Sequence, residues 1–266
     1  MTSDTPSLRT ARSLHAKLAA GTPVFGPWLD IANPNVVEIL SRRAFDFLMI
    51  DGEHSPISPY DLGTLLPAAE LHGMPTLFRA PSQASGTIKQ VLDAGVSGIM
   101  VPMVESADQA RAIVAAARYA PLGQRGIGPW RASGFYDDGN AYFDGANDAI
   151  TLILQIESRT GLENLDEIAA VDGVDLLYVG PADMAGSLGI AQGDWDGKMM
   201  QVFADVARAA QANGKRVGMD LSSTERRDDL MALGYDFFTF GSGCGFLAAA
   251  ADDSAADMRQ AFNTTS

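Results

Sequence analysis

The amino-acid sequence predicts a (β/α)8 TIM barrel, the closed α/β fold in which eight parallel strands alternate with helices. Short apolar runs recur eight times, and a polar turn and an alanine-rich segment of helical period usually follow each run. These runs are apolar along their whole length, as in parallel strands that are covered on both faces. The 266 residues also suit eight such units in a single domain.

The strands are predicted from runs that are rich in β-branched, aromatic and other large apolar residues. In chain order they cover residues 24–29, 45–50, 75–78, 98–102, 151–156, 175–179, 216–219 and 236–240. Helices are predicted before, between and after them, at about residues 8–20, 59–71, 85–94, 106–118, 162–170, 197–212, 223–233 and 246–262. The segment 134–148, rich in Gly, Asn and Asp, is predicted to be a long loop on the catalytic face.

An open, doubly wound sheet is the alternative arrangement of the same elements. Such a sheet usually opens its first helix with a GxGxxG turn that binds a dinucleotide. The turn after the first predicted strand reads LDIANPN, residues 29–35, and contains no glycine. The barrel is therefore the favoured fold.

Charge and cysteine content exclude several classes of partner. The chain carries 19 Lys and Arg against 33 Asp and Glu, a formal net charge of −14, which disfavours nucleic acids and anionic membranes. A single cysteine, Cys244, cannot form an internal disulfide. The first 18 residues lack the apolar core of a signal peptide, and no apolar run is long enough to span a bilayer. We expect a cytoplasmic protein with small-molecule partners.

Charged and polar residues that could take part in catalysis follow four of the predicted strands, where a barrel enzyme carries its active site. The second strand is followed by Asp51-Gly52-Glu53-His54 and the third by Arg79. The fifth strand leads into the segment 155–159, which holds Gln155 and Glu157, and the sixth leads into the segment 180–183, Gly-Pro-Ala-Asp. Their concentration at one edge predicts an active site.

Glu157 and Asp183 are the candidate metal ligands. Two carboxylates from neighbouring strands can share a divalent cation and leave its other positions to water and substrate, as Mg²⁺ prefers. Two other interpretations remain open at this point. Asp183 suits the N-cap of a following helix, and Glu157 suits an ion pair with Arg159 on a loop.

His54 is the candidate general base. The other two histidines, His15 and His72, fall in or at the end of predicted helices, whereas His54 follows two acids directly after a strand. An imidazole has an unperturbed pKa near 6.5, so it can take or deliver a proton at neutral pH. A base beside a metal and the Arg79 cation indicates proton abstraction next to a carbonyl, with the cations stabilising the enolate oxygen.

Seven sequence features in a fixed order resemble the HpcH/HpaI family of metal-dependent pyruvate aldolases, a family of the 4-hydroxy-2-oxo-heptanedioate and 2-keto-3-deoxy-sugar-acid type. The resemblance as a whole extends from about residue 24 to beyond residue 241. The features are DGEH at 51–54, Arg79, IKQVLDAG with Asp93, VPMV at 101–104, RGIG at 125–128, QIES at 155–158 and VGPADM at 179–184.

The resemblance implies a barrel of the phosphoenolpyruvate/pyruvate-domain type and a reversible aldol reaction. Pyruvate or hydroxypyruvate would add to an aldehyde, which makes the protein a carbon–carbon lyase. It implies that His54 is the base, that Arg79 steadies the enolate and that Asp93 pairs with the base. Glu157 and Asp183 would bind a divalent cation such as Mg²⁺, Mn²⁺ or Co²⁺. The implied substrate-binding residues are Gln155, Gly180, Pro181, Ala182, Asp183, Trp28 and Leu221, the last two forming an apolar wall that faces the aldehyde.

Two of these implications do not follow from the residues alone. Asp93 falls in the last turn of the predicted helix 85–94, which an ideal barrel places on the face away from the site. It would meet His54 only by reaching a neighbouring region or subunit. The resemblance also implies a homohexamer built from dimers that exchange the last helix, 246–262. From the residues alone, that segment suits packing against its own barrel equally well.

Two alternative functions remain. An acyl-CoA ester lyase of the same superfamily would share the barrel, the metal and the two carboxylates, but it needs a basic track for the CoA phosphates. A catalytically silent barrel that binds a small acid would leave His54 and Asp93 without a role. No lysine follows a strand end in these motifs to form a Schiff base, which favours the metal route over the imine route.

Overall fold

The computed structural model describes residues 4–137, 139–191, 197–221 and 224–263. Its eight strands form a closed barrel in sequence order, and each strand runs parallel to its neighbours, including β8 beside β1. The predicted (β/α)8 barrel is confirmed. The strands are β1 (Val24–Leu29), β2 (Leu48–Asp51), β3 (Thr76–Arg79), β4 (Gly98–Val101), β5 (Thr151–Ile156), β6 (Leu176–Val179), β7 (Arg216–Leu221) and β8 (Phe237–Ser242).

Helices surround the barrel and follow the predicted order with a few differences. The segment predicted as one helix over 162–170 forms two short helices, and the helix predicted over 223–233 begins at Arg227, while Ser223 lies outside the described residues. None of the described helices has the length and apolar character that crossing a bilayer requires. The helices are α1 (Pro6–Ala19), α2 (Pro34–Ser41), α3 (Leu62–Glu70), α4 (Ser85–Ala94), α5 (Ala107–Ala117), α6 (Gly139–Ala149), α7 (Arg159–Glu163), α8 (Leu165–Ala169), α9 (Pro181–Leu188), α10 (Lys198–Ala212), α11 (Arg227–Leu233) and α12 (Gly243–Asn263).

The core has two apolar layers, which explains why the strands are apolar on both faces. Side chains inside the barrel form one cluster, in which Phe47 and Phe237 stack with their ring centroids 4.5 Å apart. Side chains that point outward from the strands form the second cluster with the helices. Successive strand residues alternate between the two layers, so a residue's position in the strand decides whether it can reach a pocket inside the barrel.

Helix α1 closes the amino-terminal end of the barrel. Thr5 caps its first turn by accepting a hydrogen bond from the Leu8 N–H group at 3.2 Å. Leu14 and Leu18 on α1 pack into the interior cluster of the barrel. Because this end is filled by α1, a ligand must enter from the carboxyl ends of the strands.

The prediction of a loop over 134–148 is wrong for most of that segment. Residues 139–149 form α6, which packs against α1 and buries Tyr142 and Ala146. The segment follows α5 and precedes β5, so it belongs to the amino-terminal end of the barrel and not to the catalytic face. Tertiary packing outweighs the low helix propensity of its Gly, Asn and Asp residues.

Helix α12 leaves the barrel. Each of its residues from 244 to 263 is exposed, and its contacts with the rest of the chain concentrate at β8 and β1. Near its start, Phe246 stacks on Phe45 with ring centroids 6.2 Å apart. Exposed apolar side chains lie along the helix at Leu247, Met258 and Phe262. In the single chain, therefore, this helix does not pack along its own barrel.

Candidate active site

A pocket of about 370 Å³ opens at the carboxyl ends of the strands. Its walls come from six different strand ends, so residues far apart in sequence meet there. Eight of the residues predicted for the site line it, together with two that were not predicted, Tyr178 and Asp220. The predicted residues are Trp28, His54, Arg79, Gln155, Gly180, Pro181, Ala182 and Asp183.

A tight turn after β2 positions His54. Oδ1 of Asp51 accepts hydrogen bonds from the backbone N–H groups of Glu53 at 3.1 Å and His54 at 3.2 Å. Nε2 of His54 lies 3.7 Å from Oε2 of Glu53, and the imidazole is 62% exposed. The histidine thus presents its ring to the pocket with a carboxylate beside Nε2.

Arg79 at the end of β3 is held from two sides. Its Nε lies 3.0 Å from Oδ1 of Asp51 and 3.3 Å from Oε2 of Glu53. The guanidinium carbon stands 4.3 Å from the ring centroid of Trp28, a cation–π contact. These contacts fix the orientation of a buried cation, which can then stabilise an anion without reorganising.

Glu53 lies between the base and this cation. Burial raises the pKa of its carboxyl group above its usual range, and Arg79 and then His54 oppose this effect. Asp51 and Asp183 add smaller contributions that also raise the pKa. The pocket therefore contains several acids close enough to destabilise each other's charge.

Glu157, which follows β5, is 2% exposed. Its Oε1 accepts the Met103 N–H at 2.7 Å, and its Oε2 accepts a short hydrogen bond from Nε2 of Gln155. Desolvation raises the pKa of Glu157 to about 7, the Met103 bond opposes this effect, and the charges of Glu53 and Asp183 add to it. A carboxylate in such surroundings gains most from a bound cation.

Asp183 lies in the first turn of α9, where it is exposed. The N-cap of that helix is Gly180, so the alternative that Asp183 is an N-cap is wrong. The alternative pairing of Glu157 with Arg159 is not what the structure shows, because Nη2 of Arg159 donates to the carbonyl groups of Ser187 and Leu188 at 3.5 Å.

The surroundings of Glu157 fit a divalent cation. A Cβ atom on Gly180 would stand 2.3 Å from Oε2 of Glu157 and 2.8 Å from Nε2 of Gln155, so only glycine leaves this approach open. Oε1 of Gln155 is buried without a hydrogen-bond partner among the described residues. In the described parts of the chain no three His, Cys, Asp or Glu side chains converge as metal ligands. The carboxylate pair suits an ion whose other ligands are water and substrate oxygens.

Asp93 does not reach this pocket within the chain. It lies in the last turn of α4, which leads into the amino-terminal end of β4, whereas His54 lies beyond the carboxyl end of β2. Its Oδ1 accepts a hydrogen bond from Nη2 of Arg125 at 2.7 Å, and the Arg125 side chain is fully buried. The pairing of Asp93 with His54 that the resemblance implies is therefore corrected for the single chain, where Glu53 is the carboxylate beside His54.

Leu221 does not form the pocket wall either. Like Val217 and Met219, it points outward from β7 into the layer beneath the helices. Asp220, which alternates with them, points inward and lines the pocket. The predicted strand 216–219 ends two residues before β7 does, and Asp220, which directly follows the predicted end, was not among the predicted site residues. Tyr178 faces the barrel interior among apolar neighbours of β6, and the sequence carries no separate signal for it.

Together the barrel and this pocket define an enzyme site in which acids, a base and a guanidinium meet at the carboxyl ends of the strands. The match to known proteins gives the family. Residues 25–250 match the model of the HpcH/HpaI aldolase/citrate lyase family. The chain belongs to this family.

Similar proteins are known in several bacteria, and the relatives that are named as aldolases place the chain among the carbon–carbon lyases. The chain is 41% identical to a hydroxypyruvate/pyruvate aldolase of Deinococcus radiodurans, over 91% of this chain and 88% of that protein. It is 40% identical to a 4-hydroxy-2-oxovalerate aldolase of Novosphingobium aromaticivorans, over 88% of this chain and 92% of that protein. Among solved structures, a HpcH/HpaI aldolase/citrate lyase family protein from Burkholderia cenocepacia superposes with a TM-score of 0.86 at 30% identity, covering 93% of this chain and 99% of that chain.

Proposed function

We propose that the protein catalyses reversible aldol addition of pyruvate or hydroxypyruvate to an aldehyde, which gives a 4-hydroxy-2-oxo acid. One observation supports this most strongly: His54, Arg79, Gln155 and Asp183 face a single pocket, with the buried Glu157 directly behind it. The names of the two similar aldolases agree with a 2-oxo acid substrate. The single cysteine suits a cytoplasmic location.

The aldol step requires removal of a proton from C3 of the 2-oxo acid. His54 is the group that takes this proton, directly or through one water, because its ring lies in the pocket beside Glu53. Electron density then moves to the keto oxygen, where the fixed Arg79 guanidinium balances the developing negative charge. C3 attacks the aldehyde carbon, and the resulting alkoxide takes a proton from the protonated His54 to become the C4 hydroxyl. In the cleavage direction His54 removes the C4 hydroxyl proton and the C3–C4 bond breaks.

Glu157 and Asp183 would hold a divalent cation such as Mg²⁺, Mn²⁺ or Co²⁺ beside this position. When bound, such an ion supplies Lewis-acid polarisation of the carboxylate and keto oxygens of the 2-oxo acid. Gln155 and the start of α9, Gly180–Pro181–Ala182–Asp183, form the adjoining wall against which the 2-oxo acid lies. Gly180 lets this wall approach Glu157 closely.

Exchange of the pyruvate methyl protons tests this function without requiring the aldehyde. In D₂O with Mg²⁺ or Mn²⁺, NMR is expected to show enzyme-dependent loss of the methyl signal. His54→Ala is expected to lose most of this exchange while pyruvate still binds. The matched control is His72→Ala, because His72 lies beside Glu38, at a distance of 3.6 Å, and outside the pocket.

Three results would contradict the proposal. Turnover that resists a chelator and is trapped by borohydride would indicate an imine mechanism instead. Pyruvate binding with no methyl exchange would favour the silent binding barrel. Activity on acyl-CoA esters without activity on 2-oxo acids would favour the acyl-CoA ester lyase.

We also propose that the protein is a homohexamer in which α12 is exchanged between subunits. A helix of 21 residues that exposes Leu247 and Met258 to water needs a partner surface. The part of its own barrel beside β1 and α2 shows matching exposed apolar side chains, Phe25 and Ile39. A second copy of α12 would cover them.

Light scattering after gel filtration tests this assembly. The unsubstituted chain is expected to elute with the mass of six subunits, and Leu247→Glu with Met258→Glu is expected to give smaller species. Asp252→Asn with Asp253→Asn on the same helix is the control, because it changes charge without changing the apolar surface. A monomeric unsubstituted chain would refute the proposal.

A further inference from the structure

Asp220 is a carboxylate in the pocket that the aldol mechanism does not use. It lies near the end of β7, between Tyr178 on β6 and Thr239 on β8. In the described hydrogen bonds and ion pairs, Asp220 contacts neither Arg79 nor Glu157. Its place in the pocket therefore calls for a separate role.

Two hydrogen bonds hold the carboxylate of Asp220 in a fixed position. Oδ1 accepts Nε1–H of Trp28 at 2.7 Å and the hydroxyl of Thr239 at 2.5 Å. The Thr239 hydroxyl is in turn 2.6 Å from the hydroxyl of the buried Tyr178. Both of these bonds end on Oδ1, and no hydrogen bond to Oδ2 is seen among the described residues, so Oδ2 is available there for a ligand in the pocket.

The charges of the pocket separate two regions for the two halves of the substrate. Arg79, with the candidate cation site at Glu157 and Asp183, marks the region that attracts the anionic 2-oxo acid. Asp220 and the N–H edge of Trp28 mark a second region, while Arg79 lies against the face of the Trp28 ring. The aldehyde is the substrate left to occupy this second region.

A carboxylate in the aldehyde region discriminates between aldehydes by their functional groups. It accepts hydrogen bonds from hydroxyl groups, repels a second carboxylate and loses solvation against an alkyl chain. We infer that Asp220 selects short hydroxylated aldehydes as acceptors and disfavours aldehydes that carry a carboxylate. This inference rests on the proposed aldol function, and it replaces the apolar wall expected at Leu221 with a charged one.

The test compares the kcat/KM of three aldehydes with pyruvate as the donor: glyceraldehyde, propionaldehyde and succinic semialdehyde. With the unsubstituted protein, glyceraldehyde is expected to be the best acceptor and succinic semialdehyde the poorest. Asp220→Asn keeps an oxygen for Trp28 and Thr239 but removes the charge. It is expected to raise the ratio of succinic semialdehyde to glyceraldehyde by about tenfold or more. Asp228→Asn, at an exposed position on α11, is the control and should leave the ratio unchanged.

The outcomes separate this inference from the proposed function. If Asp220→Asn lowers kcat/KM for all three aldehydes by one factor, Asp220 only anchors Trp28, and the inference is wrong. An unsubstituted protein that prefers succinic semialdehyde also overturns it, even if the variant fails to fold. In both cases pyruvate methyl exchange would still support the aldol function. Absence of that exchange in the unsubstituted protein would refute the proposed function and this inference with it.

Discussion

Glu157→Gln is the substitution for which the structure gives the most definite energetic consequence. The Glu157 carboxyl is buried, and its pKa is raised from 4.5 to about 7 by desolvation and by the nearby Glu53 and Asp183. In the metal-free protein, ionising this group costs stability. At about 1.4 kcal/mol for each pH unit, the rise corresponds to about 3 kcal/mol.

The sign of this effect depends on pH. Below about pH 4.5 the carboxyl is protonated in the folded and unfolded states, so the stability that comes from its raised pKa is fully present. This stability is lost as the pH rises from 4.5 through about 7, where the folded state must ionise too. A neutral glutamine avoids the loss. Glu157→Gln is therefore expected to stabilise the metal-free protein at pH 8 and to have little effect near pH 5.

The hydrogen bonds of the site can survive the substitution. The glutamine oxygen can still accept the Met103 N–H. Its amide NH₂ would meet Nε2 of Gln155, but Gln155 has a buried Oε1 without a described partner, so a flip of the Gln155 amide restores a donor–acceptor pair. The expected net gain at pH 8 is about 2 kcal/mol, somewhat below the electrostatic value, which raises Tm by about 4–8 °C.

Thermal unfolding in EDTA, followed at pH 5 and pH 8 and at one subunit concentration, measures this gain. Adding Mn²⁺ should reverse the order of stability at pH 8, because only the parent keeps both candidate ligands, Glu157 and Asp183. Gln109→Glu is the control for a Glu/Gln exchange outside the pocket. Equal changes in Tm at both pH values would refute the argument from the raised pKa of Glu157.

Two further substitutions test the positions of residues around the site. Gly180→Ala would place a Cβ atom 2.3 Å from Oε2 of Glu157, so we expect a loss of about 1–3 kcal/mol in stability and most of kcat/KM, measured by denaturant unfolding and aldol turnover. Asp93→Asn would leave the buried Arg125 without its charged partner and is expected to cost about 2 kcal/mol. It should leave the pH dependence of kcat unchanged, whereas a shifted profile would show that Asp93 does act on His54 in the assembled protein.

The fold could be predicted because each strand carries its own signal. The runs are apolar on both faces because helices cover the barrel. This pattern can be recognised from the local sequence alone. Predicted strand ends differ from the observed ones by up to three residues, since polar side chains that point into the pocket look like turns. Asp220 is an example, because β7 continues through Asp220 to Leu221. Side chains alternate between the two faces of a strand, so Asp220, and not Leu221, meets the ligand.

Contacts between side chains that are far apart in the sequence were predicted least well. Arg125 and Asp93 are 32 residues apart and meet beside Tyr119 and Tyr142 only because α4 packs against α5 and Tyr142 of α6 reaches the end of α4. Nothing in the local sequence of Asp93 distinguishes this partner from His54. The exposed face of α12 is similar, since its alanine-rich pattern suits its own barrel as well as a second one.

The charge balance of the pocket connects these observations to the acidic composition of the chain. The described residues in and directly behind the pocket include one guanidinium, Arg79, and five carboxylates. The carboxylates are those of Asp51, Glu53, Glu157, Asp183 and Asp220. Arg79 is already paired with two of them. A 2-oxo acid anion entering this surplus of negative charge would be repelled, because a net attraction requires at least a balancing cation. A divalent ion at Glu157 and Asp183 would supply it. With the cation proposed for Glu157 and Asp183, 2-oxo acid binding is expected to depend on that ion, and Asp220 is expected to keep the aldehyde region negative.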